Sequence, residues 1–272
     1  MTDDMKPRKL NILVLFAGAG LATRGLLDAG HSCTDVEIDP AKSHLSRLLN
    51  PEAKHIVSDV RDLDSGFIAS FDAVWASPPC QERSEGNTTI VDYMPDLLQW
   101  SLDLPNDILW VENVVSYNSS NNAWGTLWNA AQFEQTPRQN RPRVIGGRHR
   151  QPRQVYRYYS HDYISATCSP TITASEIKGC ATDSRRASRW YGRRLSIREV
   201  AYHQGVTIPE HIINNWWYPL PGYGDRAWRE QLYEGIGNGV PVYMAKAFGE
   251  AYSKPELGNW QPMQQLELFE AI

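Results

Sequence analysis

Two residues that could carry chemistry follow separate apolar segments of the chain. Cys80 stands in residues 77–81 (SPPCQ), where two prolines fix the backbone in front of it. A cysteine presented in this way can act as a nucleophile once it is a thiolate, although a lone cysteine is more often an inert buried residue. Glu112 follows the apolar run of residues 107–111 and begins the sequence ENV. If the two segments are neighbouring strands, Cys80 and Glu112 face one crevice as nucleophile and acid; otherwise Glu112 is a structural or N-capping glutamate.

A glycine-containing turn near the N-terminus indicates a second site. Residues 16–20 (FAGAG) follow an apolar run, and glycines there let the backbone approach a ligand closely. Glu37, at the end of the next strand-like segment, is placed to accept hydrogen bonds from ribose hydroxyls, and Asp59, after the third, could contact an adenine amino group. The pattern suits an adenosine-containing cofactor. It leaves NAD, S-adenosylmethionine and a tight turn without ligand open, since the third glycine of a dinucleotide fingerprint is missing at its usual place.

The elements that must position these residues are strands alternating with helices. Continuous apolar runs are typical of strands buried on both faces of a parallel sheet, and residues 21–29 and 41–49 have helical spacing. The predicted strands are residues 10–16, 32–38, 55–57, 71–76 and 107–111. This alternation predicts an α/β sheet with right-handed crossovers.

Charged residues are distributed unevenly along the chain. Residues 1–130 have a net charge of −9, residues 131–230 of +8 and residues 231–272 of −3, and the basic block is almost all arginine. Arginine binds phosphate in a bidentate way, so this block favours a polyanion, with a solvated surface as the alternative. The predicted division is a cofactor-binding part (8–136), a small irregular basic lobe (137–194), a return to the first domain (195–252) and a polar tail (253–272).

Composition excludes several classes of protein. The chain has 272 residues, 42% hydrophobic and 21% charged, which is enough for a sizeable core. No window approaches eighteen apolar residues and no signal peptide is evident, so we expect a cytoplasmic protein without a membrane partner. Its four cysteines form no CxxC pair, so neither a disulfide scaffold nor a metal site is expected.

Taken in order, these motifs resemble the DNA cytosine-5 methyltransferases over about residues 10–252. The matching segments are FAGAG (16–20), Glu37, Asp59, PCQ (79–81), ENV (112–114), QNRPR (139–143), SPTITA (169–174), RRLSIRE (193–199) with Gln204-Gly205, and GNGVP (237–241). The resemblance implies a Rossmann-like S-adenosylmethionine-dependent methyltransferase sheet with a small target-recognition lobe.

The resemblance also implies a role for each matching residue. Cys80 is the nucleophile that attacks C6 of a flipped-out cytosine, and Glu112, Arg141 and Arg143 act on the base. The residues implied to bind S-adenosylmethionine are Phe16, Ala17, Gly18, Gly20, Glu37, Ile38, Asp59, Val60, Pro79, Asn238 and Val240. Those implied to bind the substrate, double-stranded DNA, are Gln81, Ser84, Asn113, Arg193, Arg198 and Gln204.

The chain also departs from the family pattern. Arg83 stands where the family has phenylalanine after PCQ, although Ser84 is kept. The stretches between Cys80 and Glu112, between Val114 and Gln139, and between Arg143 and Arg193 all look short. We therefore expect a compact, monomeric member with a short or relaxed target sequence or help from a partner. It would act either beside a restriction enzyme or alone.

Four other readings compete with this one. An amino-methyltransferase would have an aromatic residue in place of Cys80, and an NAD oxidoreductase would explain only the first turn. A branch of the family that methylates tRNA makes RNA an alternative substrate. A trimmed, non-catalytic DNA-binding homologue is the last alternative, and the intact Cys80, Glu112 and Asn238 count against it.

Overall fold

A seven-stranded sheet forms the centre of the protein in the computed structural model. The structure describes residues 6–79, 94–115, 123–133, 139–152, 168–169, 171–172, 191–214 and 225–254. The strands are β1 (Asn11–Leu15), β2 (Ser32–Glu37), β3 (Lys54–Val57), β4 (Ala73–Ala76), β5 (Ile108–Val114), β6 (Gly125–Asn129) and β7 (Pro142–Gly146). Their order across the sheet is β3-β2-β1-β4-β5-β7-β6.

Helices connect the strands and cover both faces of the sheet. They are α1 (Leu21–Asp28), α2 (Pro40–Leu49), α3 (Ser65–Ala69), α4 (Met94–Leu102), α5 (Ile197–His203), α6 (Glu210–Ile213), α7 (Asp225–Asn238) and α8 (Val242–Ser253). Short 3-10 turns cover Val60–Asp62 and Ala130–Gln132. Asp39 caps α2 by accepting from the backbone amide of Ala41, with Pro40 at the first helical position, as the sequence predicts. None of the helices in the described ranges is long and apolar enough to cross a membrane.

The predicted α/β fold is confirmed. Strands β1 to β5 pair in parallel, and the segments between them are mostly helical. The central strands are buried on both faces, with Leu13 and Leu15 fully buried in β1. This explains why their sequences are continuous apolar runs rather than alternating ones.

Strands β6 and β7 were not predicted. They form an antiparallel extension, with β7 pairing to β5 and β6 pairing to β7. Strand β6 is mostly half-buried, and β7 contains Pro142 and Arg143, so neither resembles an apolar run. The sequence division assigns residues 137–194 to the lobe, whereas the structure adds residues 142–146 to the central sheet.

Aromatic side chains fill the core on one face of the sheet. Trp75 of β4 lies opposite Trp110 of β5, with ring centroids 5.8 Å apart, and Phe248 of α8 packs against Trp75 at 6.1 Å. Helix α8 crosses α1 closely, because a Cβ on Gly25 would lie 2.3 Å from the carbonyl oxygen of Val242. The packing fixes α8, and with it the loop that precedes it, against the start of α1.

The sheet order reverses between β1 and β4. In open α/β sheets, ligands bind outside the carboxyl ends of the strands at this switch point. The carboxyl ends of β1, β2, β4 and β5 meet there. Residues 16–20, Glu37, Pro79 and Glu112 lie at or just after the ends of these strands, so the fold gathers these predicted site residues at one edge.

Candidate active site

The turn between β1 and α1 has a left-handed backbone at three positions. Phe16, Gly18 and Gly20 have φ angles of 56°, 57° and 75°. Phe16 is the exceptional one, because a non-glycine residue in this region is strained. A Cβ on Gly18 would meet nothing within 4 Å, whereas a Cβ on Gly20 would lie 2.1 Å from the hydroxyl oxygen of Ser46. Gly18 therefore faces open space, and Gly20 faces helix α2.

Glu37 fastens this turn to the end of β2. Its carboxylate accepts a hydrogen bond from the backbone amide of Gly18 at 2.8 Å and from that of Asp39 at 2.9 Å. The side chain is 8% exposed, while that of its neighbour Ile38 is 63% exposed. An anchored carboxylate beside an exposed apolar side chain is suited to a ribose and a flat base.

Asp59 and Val60, after β3, differ in their surroundings. Asp59 caps the 3-10 turn and forms an ion pair with Arg61, which lowers the pKa of Asp59 to about 2. The carboxylate is thus an acceptor at neutral pH. Val60 is buried, and its side chain packs in the hydrophobic core on one face of the sheet.

The C-terminal loop returns to the glycine turn. Asn238 ends α7 and is exposed, while Val240 is buried. A Cβ on Gly239 would lie 2.8 Å from the side chain of Leu21, and one on Gly235 would lie 2.9 Å from that of Ala19. The end of α7 and the residue after Asn238 therefore pack against Ala19 and Leu21.

The ends of β4 and β5 are tied together at the other predicted site. The side-chain amide of Asn113 donates to the carbonyl oxygen of Pro78 at 3.1 Å and is itself buried. Pro79, the next residue, is exposed. Cys80, Gln81 and Ser84 lie outside the described residues. The structure thus joins the residue after Glu112 to a residue two positions before Cys80.

Glu112 and Arg143 form a buried ion pair. The guanidinium Nε of Arg143 lies 2.8 Å from a carboxylate oxygen of Glu112, and both side chains are less than 10% exposed. The two residues come from the antiparallel strands β5 and β7. A buried carboxylate held by a guanidinium has a fixed orientation, which is what a group that recognises a base requires.

Arg141 makes different contacts from Arg143. Its guanidinium is buried and donates to the carbonyl oxygens of Gly237 and Gly239, each at 2.9 Å, and to that of Ile172. It therefore joins the SPTITA segment to the loop that carries Asn238. The implied role of Arg141 at the base stays a prediction.

Gln139 and Gln204 complete this buried connection. The amide nitrogen of Gln204 donates to the carbonyl oxygens of Ile236 at 2.8 Å and Gly239 at 3.1 Å, so it caps the end of α7. Gln139 donates to the Gln204 side chain at 2.9 Å. Both glutamines are fully buried. The substrate role implied for Gln204 stays a prediction.

The remaining predicted substrate residues form ion pairs on the surface. Arg193 binds Glu199, which also caps α5 with Ser196, and Arg198 binds Glu210. Hydrogen bonding to Arg193 lowers the pKa of Glu199 to about 2. Arg198 lies on α5, and Arg193 lies before it, within the predicted lobe (137–194).

Sequence reasoning missed several residues at this edge. Trp100 of α4 packs edge-on against Phe16, with centroids 6.4 Å apart. Asp35, Ser46 and Asn50 form a buried polar cluster behind the glycine turn. The signal for the cluster was Asp35, an acid in the middle of strand β2 (SCTDVE), nearly all of which is buried. Among the residues described, no group of three or more His, Cys, Asp or Glu side chains could hold a metal ion.

The sheet and its helices form a Rossmann-like α/β architecture. Three solved structures share it: a Dnmt2 methyltransferase from S. pombe, a putative DNA modification methyltransferase from an E. coli prophage and the methyltransferase EhMeth from Entamoeba histolytica. Their identities to this chain are 14%, 16% and 15%, and their TM-scores are 0.55, 0.52 and 0.51. The alignments cover 91%, 89% and 93% of this chain and 99%, 98% and 100% of those chains, respectively. At such identities, the likeness shows the fold.

The sequence itself matches one family. Residues 10–90 match the family described as C-5 cytosine-specific DNA methylase. Comparison with curated proteins gives no match. The family match covers less than a third of the chain, so the sequence likeness to the C-5 cytosine-specific DNA methylases is limited to residues 10–90.

Proposed function

We propose that the protein is a DNA cytosine-5 methyltransferase that modifies a flipped-out cytosine through a covalent bond between Cys80 and C6. One observation carries the proposal. The hydrogen bond from Asn113 to Pro78 ties the segment that leads to Cys80 to the strand that holds the Glu112–Arg143 ion pair. A nucleophile and a preorganised acid at adjoining strand ends are what addition to a pyrimidine ring requires.

The residues around the glycine turn fit S-adenosylmethionine. The space in front of Gly18 is open, the carboxylate of Glu37 is anchored beside it, and the exposed Ile38 offers an apolar face. Asn238 is exposed next to the same turn. When bound, the cofactor supplies an electrophilic methyl group on a sulfonium. Glu37 would hold the ribose, Ile38 and Asp59 the adenine, and Asn238 the methionine end.

Cys80 solves the main chemical difficulty of the reaction. C5 of cytosine is a poor nucleophile because the ring is aromatic. Addition of the Cys80 thiolate to C6 forms a sulfur–carbon bond, breaks the aromaticity and makes C5 enamine-like. Once C5 carries the methyl group, a base removes the C5 proton, the bond to sulfur breaks, and the Cys80 thiolate leaves with its electron pair.

Glu112 and Arg143 act on the polar edge of the ring. Glu112 binds N3 and the exocyclic amine and stabilises the charge that the thiolate pushes into the ring. The 2.8 Å ion pair supports Arg143 as the group that orients the Glu112 carboxylate; the alternative role for Arg143 is to hold the cytosine O2. Flipping the base costs roughly a few kcal/mol, and phosphate contacts from the arginine-rich block of residues 131–230 offset this cost.

DNA is the proposed polymer because the matching family is one of DNA methylases. We further propose that residues between Arg143 and Arg193 form a small target-recognition lobe. The positive charge of the block suits DNA and RNA equally, and RNA is the alternative substrate. The experiment therefore reads both polymers.

Nucleoside mass spectrometry in a host that lacks cytosine methylation tests the proposal. The host expresses the intact chain, Cys80→Ala or the matched control Cys33→Ala, which removes a buried thiol of β2. We expect 5-methyldeoxycytidine with the intact chain and the control, and none with Cys80→Ala. Methylation of RNA alone would contradict DNA as the substrate. Unmodified DNA and RNA from a host with folded protein would contradict a catalytic role altogether.

A further inference from the structure

A carboxyl group is buried behind the cofactor turn. Asp35 lies in β2, two residues before Glu37 and therefore on the same face of the strand. Asp35 is 1% exposed and pairs in register with Val14 of β1 and His55 of β3. A charged residue in the middle of a parallel sheet is costly, and a well-packed apolar residue would serve stability at least as well.

Asp35 connects the two helices that flank the turn. One carboxyl oxygen accepts a hydrogen bond from the Thr23 hydroxyl of α1 at 2.6 Å, and the other accepts one from the Ser46 hydroxyl of α2 at 2.5 Å. The Nδ1 atom of His55 lies 3.5 Å from the second oxygen. The first turn of α1, the middle of α2 and strand β2 are thus held by one side chain.

The connection ends on the turn itself. The side-chain amide of Asn50 donates to the carbonyl oxygen of Gly20 at 2.9 Å and to the Ser46 hydroxyl at 3.4 Å. Ser46 and Asn50 are fully buried, and a Cβ on Gly20 would collide with both. Gly20 therefore rests directly on these two side chains, and Gly18, two residues earlier, donates to Glu37.

We propose that Asp35 is a positioning residue for the cofactor: through Thr23, Ser46 and Asn50 it fixes residues 18–20 relative to Glu37. The inference rests on the proposed role of this turn as the S-adenosylmethionine site. A ligand held between a backbone turn and a carboxylate needs both within about 0.5 Å of the right place. The hydrogen bond between Gly18 and Glu37 joins the turn to the carboxylate at one point only. The Asp35 cluster also fixes Gly20 and the start of α1, which follows the turn.

Isothermal calorimetry with S-adenosylhomocysteine tests this role without requiring turnover. Thr23→Val and Ser46→Ala each remove one hydroxyl donor to Asp35, and Thr23→Ser keeps it. Losing one buried hydrogen bond should weaken binding about tenfold in the first two variants and leave Thr23→Ser near the wild type. In the methylation assay, the KM for S-adenosylmethionine should rise while kcat stays nearly unchanged, because neither hydroxyl touches the base.

The matched control removes an equally buried polar group at the opposite end of the sheet. Asn106 is 6% exposed, and its side-chain amide donates to the carbonyl oxygens of Ile68 and Phe71, each at 3.0 Å. Asn106→Ala should lower the melting temperature as Ser46→Ala does but leave the dissociation constant unchanged. Amide hydrogen exchange at Gly18 should speed up in Ser46→Ala and not in Asn106→Ala.

The possible outcomes separate the inference from the proposed function. Wild-type protein that binds the ligand, with Thr23→Val and Ser46→Ala binding equally well, would overturn the positioning role alone. Equal weakening by Asn106→Ala would also overturn it, since the effect would then be general destabilisation. Folded wild-type protein that does not bind S-adenosylhomocysteine would overturn both the inference and the cofactor assignment.

Discussion

The two halves of the candidate active site are built from contacts of very different sequence separation. The cofactor edge, defined as residues 16–20, 37–38 and 59–60, is held by bonds such as that between Gly18 and Glu37, 19 residues apart. The base edge comprises Pro78, Glu112, Asn113, Arg141 and Arg143. There, Arg141 reaches Ile172, Gly237 and Gly239, which are 31, 96 and 98 residues away. Apart from the end of α7, which packs against Ala19 and Leu21, the first edge is thus built from contacts within residues 16–60, and the second is assembled by the whole fold.

The family match follows the same division. It covers residues 10–90, which include the cofactor edge and Cys80, and it ends before Glu112. A local structure constrains neighbouring residues together and leaves a compact pattern in the sequence. Arg141 binds backbone carbonyls. Since any residue type supplies a carbonyl, the positions that Arg141 contacts have no characteristic sequence. The comparison predicts that the two edges respond separately to substitution, except where a residue joins them.

The largest expected effects on activity and cofactor binding come from replacing one glutamate at each edge, Glu112 or Glu37, with glutamine. Glu112→Gln keeps the size and one acceptor for Arg143 but removes the carboxyl group that can transfer a proton to N3 of the ring. We expect the rate of methyl transfer to fall about 10³-fold, with unchanged binding of S-adenosylhomocysteine. Glu37→Gln should do the reverse, weakening binding of the ligand more than it lowers kcat at saturation.

Calorimetry and single-turnover assays on both variants provide the measurement. If Glu112→Gln weakened cofactor binding as much as Glu37→Gln, the two edges would not be independent. If Glu112→Gln kept full activity, the proposed role of the carboxylate at the base would be wrong.

Arg141 should affect both edges, because it joins the SPTITA segment at Ile172 to the loop of Asn238. Arg141→Ala leaves three buried carbonyl oxygens without this donor, and we expect the free energy of unfolding to fall by about 3 kcal/mol. Cofactor binding should weaken as well, since the end of α7 is released. Arg141→Lys should recover little, because one ammonium cannot reproduce the planar fork.

Urea denaturation and calorimetry measure these two effects. Arg148→Ala is the control, because Arg148 also donates to backbone carbonyls, those of Leu104 and Asn106, but at the amino end of β5. The control should cost stability without changing cofactor affinity. Arg141→Ala protein with normal affinity would show that its clamp serves the fold alone.

The same contrast explains what the sequence could predict. Residues 10–16 predicted β1 because a strand buried on both faces is apolar throughout, and Glu37 was found because its strand ends there. Strands β6 and β7 were missed because a half-buried strand and one that carries Arg143 have no such pattern. The tie from Asn113 to Pro78 depends on strand order, which no local pattern specifies.

Role assignments at the base edge show the limit more clearly. The roles that the resemblance implies, Arg141 acting on the base and Gln204 binding substrate, stay predictions. The structure shows that both side chains are buried and donate to backbone carbonyls around Gly237. A motif indicates that a residue matters, but the atoms it binds are set by segments about 100 residues away. Asp35 shows the opposite case: its contacts are local in sequence, but Asp35 belongs to no family motif, so the sequence did not single it out.

The smallest expected effect is a difference in pH dependence between the edges. Burial lowers the pKa of His203, behind the base edge, to about 4, from an ordinary value near 6.5. The unfolded chain therefore binds more protons between these values, so His203 makes stability rise with pH from about 4 to 6.5. Burial raises the pKa of Asp35, behind the cofactor edge. The folded state then binds more protons above pH 3.8, and this group makes stability fall as pH rises through its folded pKa.

Urea denaturation between pH 4 and 7 on His203→Gln and Asp35→Asn separates the two contributions. Relative to the wild type, His203→Gln should flatten the rise in unfolding free energy by on the order of 2 kcal/mol, and Asp35→Asn should steepen it. The Nε2 atom of His203 lies 2.9 Å from the Tyr191 hydroxyl, so Tyr191→Phe serves as a control that removes this contact without removing the titrating group. If both substitutions changed the slope in the same direction, burial would not be the cause of the opposite shifts, and the two edges would not differ in their response to acid.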